Sequence, residues 1–185
     1  MYAVESYGIY KQADDLVRQC GTRNVEQIIR ELGIWVYYED SFKDLLGMYT
    51  FRWNHLLIFL NPRIEGALKQ MVMAHELGHD QRHRNLAKAG QPLKEFNLFM
   101  MKDATEYEAN AFASHILLPN DDVYSLAKEG HDVFTISQIM GADVNLMLIK
   151  MQEMNKLGYD FNISMQHDSR FFRRMKAYSS KITEP

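Results

Sequence analysis

An α+β fold, with a small three-stranded sheet beside a mostly helical body, is predicted by three features of the sequence. Two capped helical patterns open the chain. Three short runs rich in β-branched and aromatic residues follow between residues 34 and 60. Helical periodicity then returns and dominates up to about residue 158. Apolar residues make up 46% of the 185 positions, enough for a packed core.

The first helix is expected over about residues 6–20, where Ala13, Leu16, Val17 and Cys20 form one stripe and Gly21 stops it. In the second, Asn24 is the N-cap, Gln27 lies three residues on, Val25, Ile28, Ile29 and Leu32 make the apolar face, and Gly33 ends it. The strand runs are IWVYY (34–38), GMYTFRW (47–53) and LLIFL (56–60). The last two form a hairpin turning at Asn54–His55. Uniformly apolar LLIFL reads as the inner strand. GMYTFRW mixes Thr50 and Arg52 with aromatics and reads as an exposed edge.

Asn61-Pro62 offers an N-cap with proline at the first helical position, and that helix is expected to run to about residue 83. Residues 84–102, with Gly90 and Pro92, read as irregular. A strong helix covers about 104–118 and ends at Pro119. Shorter helical segments follow near 121–129, 134–140 and 143–157. The tail after Gly158 has no periodicity.

Composition narrows the function classes. No apolar run approaches the roughly 20 residues of a membrane span, and the N-terminus MYAVESYGIYKQADD lacks the pattern of a signal peptide. The single cysteine, Cys20, permits neither an internal disulfide nor a CxxC metal site, which points to a reducing cytoplasm. The net charge of −3 gives no bias toward nucleic acid.

The chemistry-bearing feature is His75-Glu76-Leu77-Gly78-His79, an HExxH pattern. On a helix, residues four apart share a face, so both imidazoles can address one metal ion, and the glutamate between them can reach a water there. The surrounding MVMAHELGH is apolar nearly all round, and a buried helix does not carry two histidines and a glutamate without partners. The bland alternative is a pair of satisfied core histidines. A catalytic zinc needs a third protein ligand. The helix TEYEANAFA offers Glu106 and Glu108. Thr105 to Glu108 has capping-box spacing, which would leave Glu106 free, yet Asp103 to Glu106 has the same spacing.

HELGH followed by EYEANAFASHILLP resembles the ImmA/IrrE family of metallopeptidases over roughly residues 5–158. The resemblance implies a zincin-like, thermolysin-like core binding Zn²⁺ through His75, His79 and Glu106, with Glu76 as general base and Asn110 supporting a ligating histidine. The domain expected is a metallopeptidase domain over 1–158 and a tail over 159–185; within it, the periodicity of 121–158 reads as helical and helix-turn-helix-like. The expected activity is cytoplasmic endopeptidase cleavage of a protein, specifically a helix-turn-helix repressor of a phage, mobile element or stress response, which makes the protein an anti-repressor. The rival is a zinc-stabilised module that regulates by contact without cleavage. Substrate is expected to add as a strand along 47–53, bringing it to Tyr49 and Phe51.

The remaining histidines and the tail are left less defined. His83 continues the 75, 79, 83 spacing and is either a support of the site or a surface residue. His115 should face away from the metal. Tyr107, Tyr124 and His131 are candidate oxyanion donors. In Val133–Leu157 the second helix begins with Asp143 and Asn145 and has Lys150 as its first basic residue, so packing on the core is preferred to DNA contact. Arg170–Arg174 reads as a basic tail.

Overall fold

A computed structural model describes residues 2–99, 101 and 103–161. Eleven elements are present among them: α1 (Tyr2–Cys20), α2 (Val25–Glu31), β1 (Trp35–Tyr38), β2 (Gly47–Arg52), β3 (His55–Leu60), α3 (Gly66–Lys88), β4 (Leu93–Glu95), α4 (Ala104–Leu117), α5 (Asn120–Lys128), α6 (Val133–Ile139) and α7 (Val144–Lys156). The α+β class holds. The sheet is small and lies beside a helical core. The sequence expectations for residues 162–185, including the basic run Arg170–Arg174, fall outside the described residues.

The sheet has one strand more than the sequence predicts, in the order β1-β3-β2-β4. β1 runs parallel to β3, and β2 is antiparallel to both β3 and β4. β3 is therefore interior, as its composition suggests. The edge assignment of β2 is corrected: β4 pairs with it over Gly47–Tyr49, so the outer strand on that side is β4. Three residues of ladder, Leu93-Lys94-Glu95, are too few to show a period-two pattern, which is why the segment reads as loop. The hairpin turn is Trp53–Asn54, one residue earlier than expected, with both residues at positive φ (49° and 64°). A two-residue turn of that kind matches the twist of the flanking strands.

Asn61-Pro62 does not begin a helix. The Asn61 side chain instead donates to the Leu45 carbonyl at 2.9 Å, tying down the 42–45 loop, and α3 starts only after Glu65. α3 then runs to Lys88, past the expected end, with non-helical angles at His83 (φ −125°, ψ 17°).

The functional elements are held together by a core of Ile9, Ala13, Ile28, Ile58, Leu60, Val72, Met73, Leu77, Phe112 and Ile116, all fully buried. Tyr49 crosses from β2 to α3, where its hydroxyl donates to the buried Asp80 at 2.7 Å, and Arg84 neutralises that carboxylate at 2.6 Å. α3 and α4 meet at Gly78. A Cβ there would lie 2.8 and 2.9 Å from the Ala109 O and Cα. Both obstructing atoms are backbone, so no side-chain rotation relieves the contact. Gly78→Ala is therefore expected to destabilise the fold by about 1–3 kcal/mol, read as a lower denaturant midpoint with unchanged slope. An unaltered midpoint would show that the helix contact is looser than the structure has it.

Candidate metal centre

His75, Glu76 and His79 lie on the buried stretch of α3 that packs on β2 and α4. Because Gly78 lets α4 approach, the first turn of α4 delivers Glu106 to the two imidazoles. One donor atom from each of His75, His79 and Glu106 lies within 4.8 Å of the other two. His75 Nε2 is 3.4 Å from Glu106 Oε2, and His79 Nε2 is 3.7 Å from Glu106 Oε1.

The two carboxylates that compete in the sequence have separate fates. Asp103 is the N-cap of α4, accepting from the Thr105 and Glu106 amides at 2.9 and 3.1 Å. Glu108 does not fold back on the helix start. It accepts from Arg82 Nε at 2.8 Å, about two turns along α3 from His75. The Glu106 backbone is thus capped, while its side chain is free to face the histidines.

Each imidazole is oriented through its other nitrogen. His75 Nδ1 lies 3.1 Å from Asn110 Oδ1, and Asn110 is itself fixed by donating to the Glu106 carbonyl at 3.0 Å. An amide oxygen accepts only, so a proton sits on His75 Nδ1, and Nε2 is the nitrogen that faces the carboxylates. His79 Nδ1 lies 3.0 Å from His83 Nδ1.

The sequence gives no hint of Glu95. It sits at the end of β4, buried, with its Oε2 3.0 Å from His75 Nε2 and its Oε1 accepting from the Asn97 amide at 2.5 Å. His75 Nε2 nonetheless makes no aligned hydrogen bond to either carboxylate. Oxygens crowded round a nitrogen but off its axis are what ligands sharing one cation present, rather than groups sharing a proton. The only available signal was one acidic residue in a segment that reads as irregular.

Charge reinforces the same reading. Burial opposes a charge on His75, but Glu106 and Glu95 outweigh it and push its pKa up to about 10. Burial also raises the Glu76 carboxyl to about 8, against the pull of His75 and with the help of Glu95 and Glu106. Both Glu76 oxygens are buried without a hydrogen-bond partner among the described residues. His79 is driven the other way, well below its ordinary value, by burial first and by His75 and His83 next. Three carboxylates converging on two imidazoles, with orphaned acceptors, form a donor set that fits a divalent cation.

Other sequence candidates lie elsewhere. Tyr49 is fully buried in the sheet interior with its hydroxyl committed to Asp80, so the expectation that it contacts substrate is corrected. Phe51 is half-buried, beyond the end of β4, under Lys88. Tyr107 bonds Glu153 and Lys156 of α7, Tyr124 packs on Tyr159 and Phe161, and His131 lies beside Glu129. His115 faces α7, with its Nδ1 2.9 Å from Lys150 Nζ.

Residues 29–166 match the peptidase family described as "IrrE N-terminal-like domain". The chain is 32% identical over 106 residues to "Uncharacterized immunity region protein 2" of Bacillus phage phi105, covering 57% of this chain and 65% of that protein. It is 30% identical over 115 residues to "Metallopeptidase ImmA" of Bacillus subtilis (strain 168), covering 61% of this chain and 64% of that one. The matches thus span just under two thirds of each relative's own length.

Proposed function

Because the chain belongs to the IrrE N-terminal-like peptidase family, we propose that it is a zinc-dependent endopeptidase in which His75, His79 and Glu106 hold the metal and Glu76 is the general base. The observation that carries this reading is the convergence of the three donor side chains within 4.8 Å, beside a buried glutamate whose oxygens have no hydrogen-bond partner among the described residues. A zinc ion supplies Lewis acidity, which acidifies water to a pKa near 7 and polarises a carbonyl. Glu76 takes the water's proton and returns it to the leaving amine. It is buried beside the ligands, with neither oxygen hydrogen-bonded among the described residues, which leaves the carboxylate free for that exchange. Asn110 holds the His75 ring so that Nε2 faces inward.

The substrate strand is assigned to β4 in place of β2. Among the described residues β4 pairs on one side only and ends at Glu95 beside His75, so an extended peptide can add along Leu93–Glu95 next to the metal. Residues 1–158 are taken as one catalytic unit. In support, α7 packs against both α4 and α1. Among the described residues no single helix is long and apolar enough to cross a membrane. That fits the cytoplasmic setting proposed from the single cysteine. α6 and α7 meet at 111°, within the helix-turn-helix range, but the start of α7 is Asp143-capped and Lys150 is buried against His115, so direct nucleic-acid binding is not part of the reading.

The substrate class is a helix-turn-helix repressor. The names of the relatives, an immunity region protein and ImmA, support an anti-repressor role in phage or mobile-element immunity. Incubating the full chain with the repressor encoded beside its gene should yield discrete fragments, and a chelator should prevent them. Binding without fragments, unaffected by chelator, would replace the peptidase with a regulatory module that acts by contact.

Glu95→Gln is expected to weaken zinc binding roughly tenfold, the low end for a group beside a ligand. Competition with a chromophoric chelator reads this directly. Unchanged affinity would make Glu95 a bystander of the site.

A further inference from the structure

His79 is buried, and among the described residues its Nδ1 has one partner, His83 Nδ1 at 3.0 Å. His83 is itself buried, and at 3.5 Å its Nε2 faces Glu108 Oε2, an electrostatic contact rather than a formed hydrogen bond. Glu108 is in turn clasped by Arg82, with Nε and Nη2 both 2.8 Å from that same oxygen. Gln12 of α1 closes the group, 3.3 Å from Arg82 Nη1. Four successive side chains therefore lead from the candidate metal ligand out to the rim.

The backbone is bent to make this row. His83 is the one residue inside α3 with non-helical angles. With a regular helix, residues 79 and 83 would stack along one face. The break instead lets the two Nδ1 atoms face each other and leaves His83 Nε2 toward Glu108. A third ligating histidine is excluded by the same contact, since the His83 nitrogen nearest the site is spent on the outer nitrogen of His79.

Proton bookkeeping leaves one arrangement. If His79 offers the Nε2 lone pair inward, its proton is on Nδ1 and is donated to His83 Nδ1. His83 then carries its own proton on Nε2, directed at Glu108, whose charge Arg82 balances. We infer that His83 is a positioning residue, which with Glu108 and Arg82 fixes the tautomer and ring orientation of His79 for metal binding. Asn110 does the same for His75, so each imidazole has a dedicated anchor on or against α4. The inference rests on the metal reading of the site.

Zinc is the probe, with the full chain and a competing chromophoric chelator. His83→Leu should weaken zinc binding by roughly 10–100-fold and shift the visible spectrum of the Co²⁺-substituted protein. His83→Gln, whose amide can both accept from His79 and donate toward Glu108, should stay within about threefold of the parent and keep its spectrum. A merely space-filling role predicts no such rescue. Should His83→Leu fail to fold, Glu108→Gln carries the test, with roughly tenfold weaker zinc binding expected. Parent-like affinity and spectrum in the leucine variant, or equal losses in leucine and glutamine variants, would overturn the inference while leaving the metal centre standing. A parent protein that binds no zinc would overturn both.

Discussion

Replacing Glu76 by Gln is expected to abolish cleavage, lowering turnover by roughly 10²–10⁴-fold, the usual contribution of a positioned general base, while fold and zinc content stay those of the parent. The reason lies in the pocket around the carboxylate. Gly47 of β2 leaves room where a side chain would run into Glu76 and, at 2.7 Å, into Val72. The amide is nearly the same size as the carboxylate, so it fits that room. It carries no negative charge and does not take a proton from water. Both Glu76 oxygens already lack protein partners among the described residues, so the substitution breaks no hydrogen bond there. The measurement is a single-turnover cleavage assay beside metal analysis and a melting curve. Parent-like cleavage in a variant that is folded and zinc-loaded would remove Glu76 from the chemistry. Loss of zinc in the same variant would instead make Glu76 part of the metal site.

The second large effect concerns the ligands themselves. His79→Ala and Glu106→Ala should each lower zinc affinity by about 10²-fold, since four-ligand zinc sites are worth about 10–16 kcal/mol in total. One ligand then accounts for roughly 3 kcal/mol, and 1.4 kcal/mol is a tenfold change. Glu108→Ala should lose far less, because Glu108 is 2.8 Å from Arg82 and reaches His79 only through His83. The contrast between the two glutamates is the informative part. Equal losses from both would mean that the separation of their roles on α4 is wrong. Full zinc content in Glu106→Ala with loss in Glu108→Ala would exchange them. Isothermal titration at fixed pH gives the affinities, and the fold is checked by circular dichroism.

The sequence by itself determined what depends on neighbours along the chain. Helix faces and caps are of this kind: Asn24 over α2, the apolar stripe of α1, and the i, i+4 placement of His75 and His79. So is the interior position of β3, because a strand buried between two others must be apolar throughout. The α+β class follows from these local periods alone. Glu106 and Asn110 were legible only with the family resemblance. Capping-box spacing fitted both Asp103–Glu106 and Thr105–Glu108, and local rules gave no reason to choose.

The tertiary structure decided whatever depends on residues meeting across the chain. Glu95 reaches His75 only because β4 pairs with β2, a three-residue ladder with no period of its own to announce it. The same pairing moved the free edge from β2 to β4 and buried Tyr49 over Asp80. Asn61 reads as a helix cap, but the 42–45 carbonyls, which need a donor, lie nearer in space than the first turn of α3. His83 could not be placed from its spacing, because a regular helix gives the direction of a side chain and α3 is not regular there. In each case the deciding term is a buried polar group that must find a partner. A buried donor or acceptor left alone costs about 1–3 kcal/mol, which outweighs the propensity differences, under about 0.7 kcal/mol per ordinary residue, by which local sequence favours one backbone state.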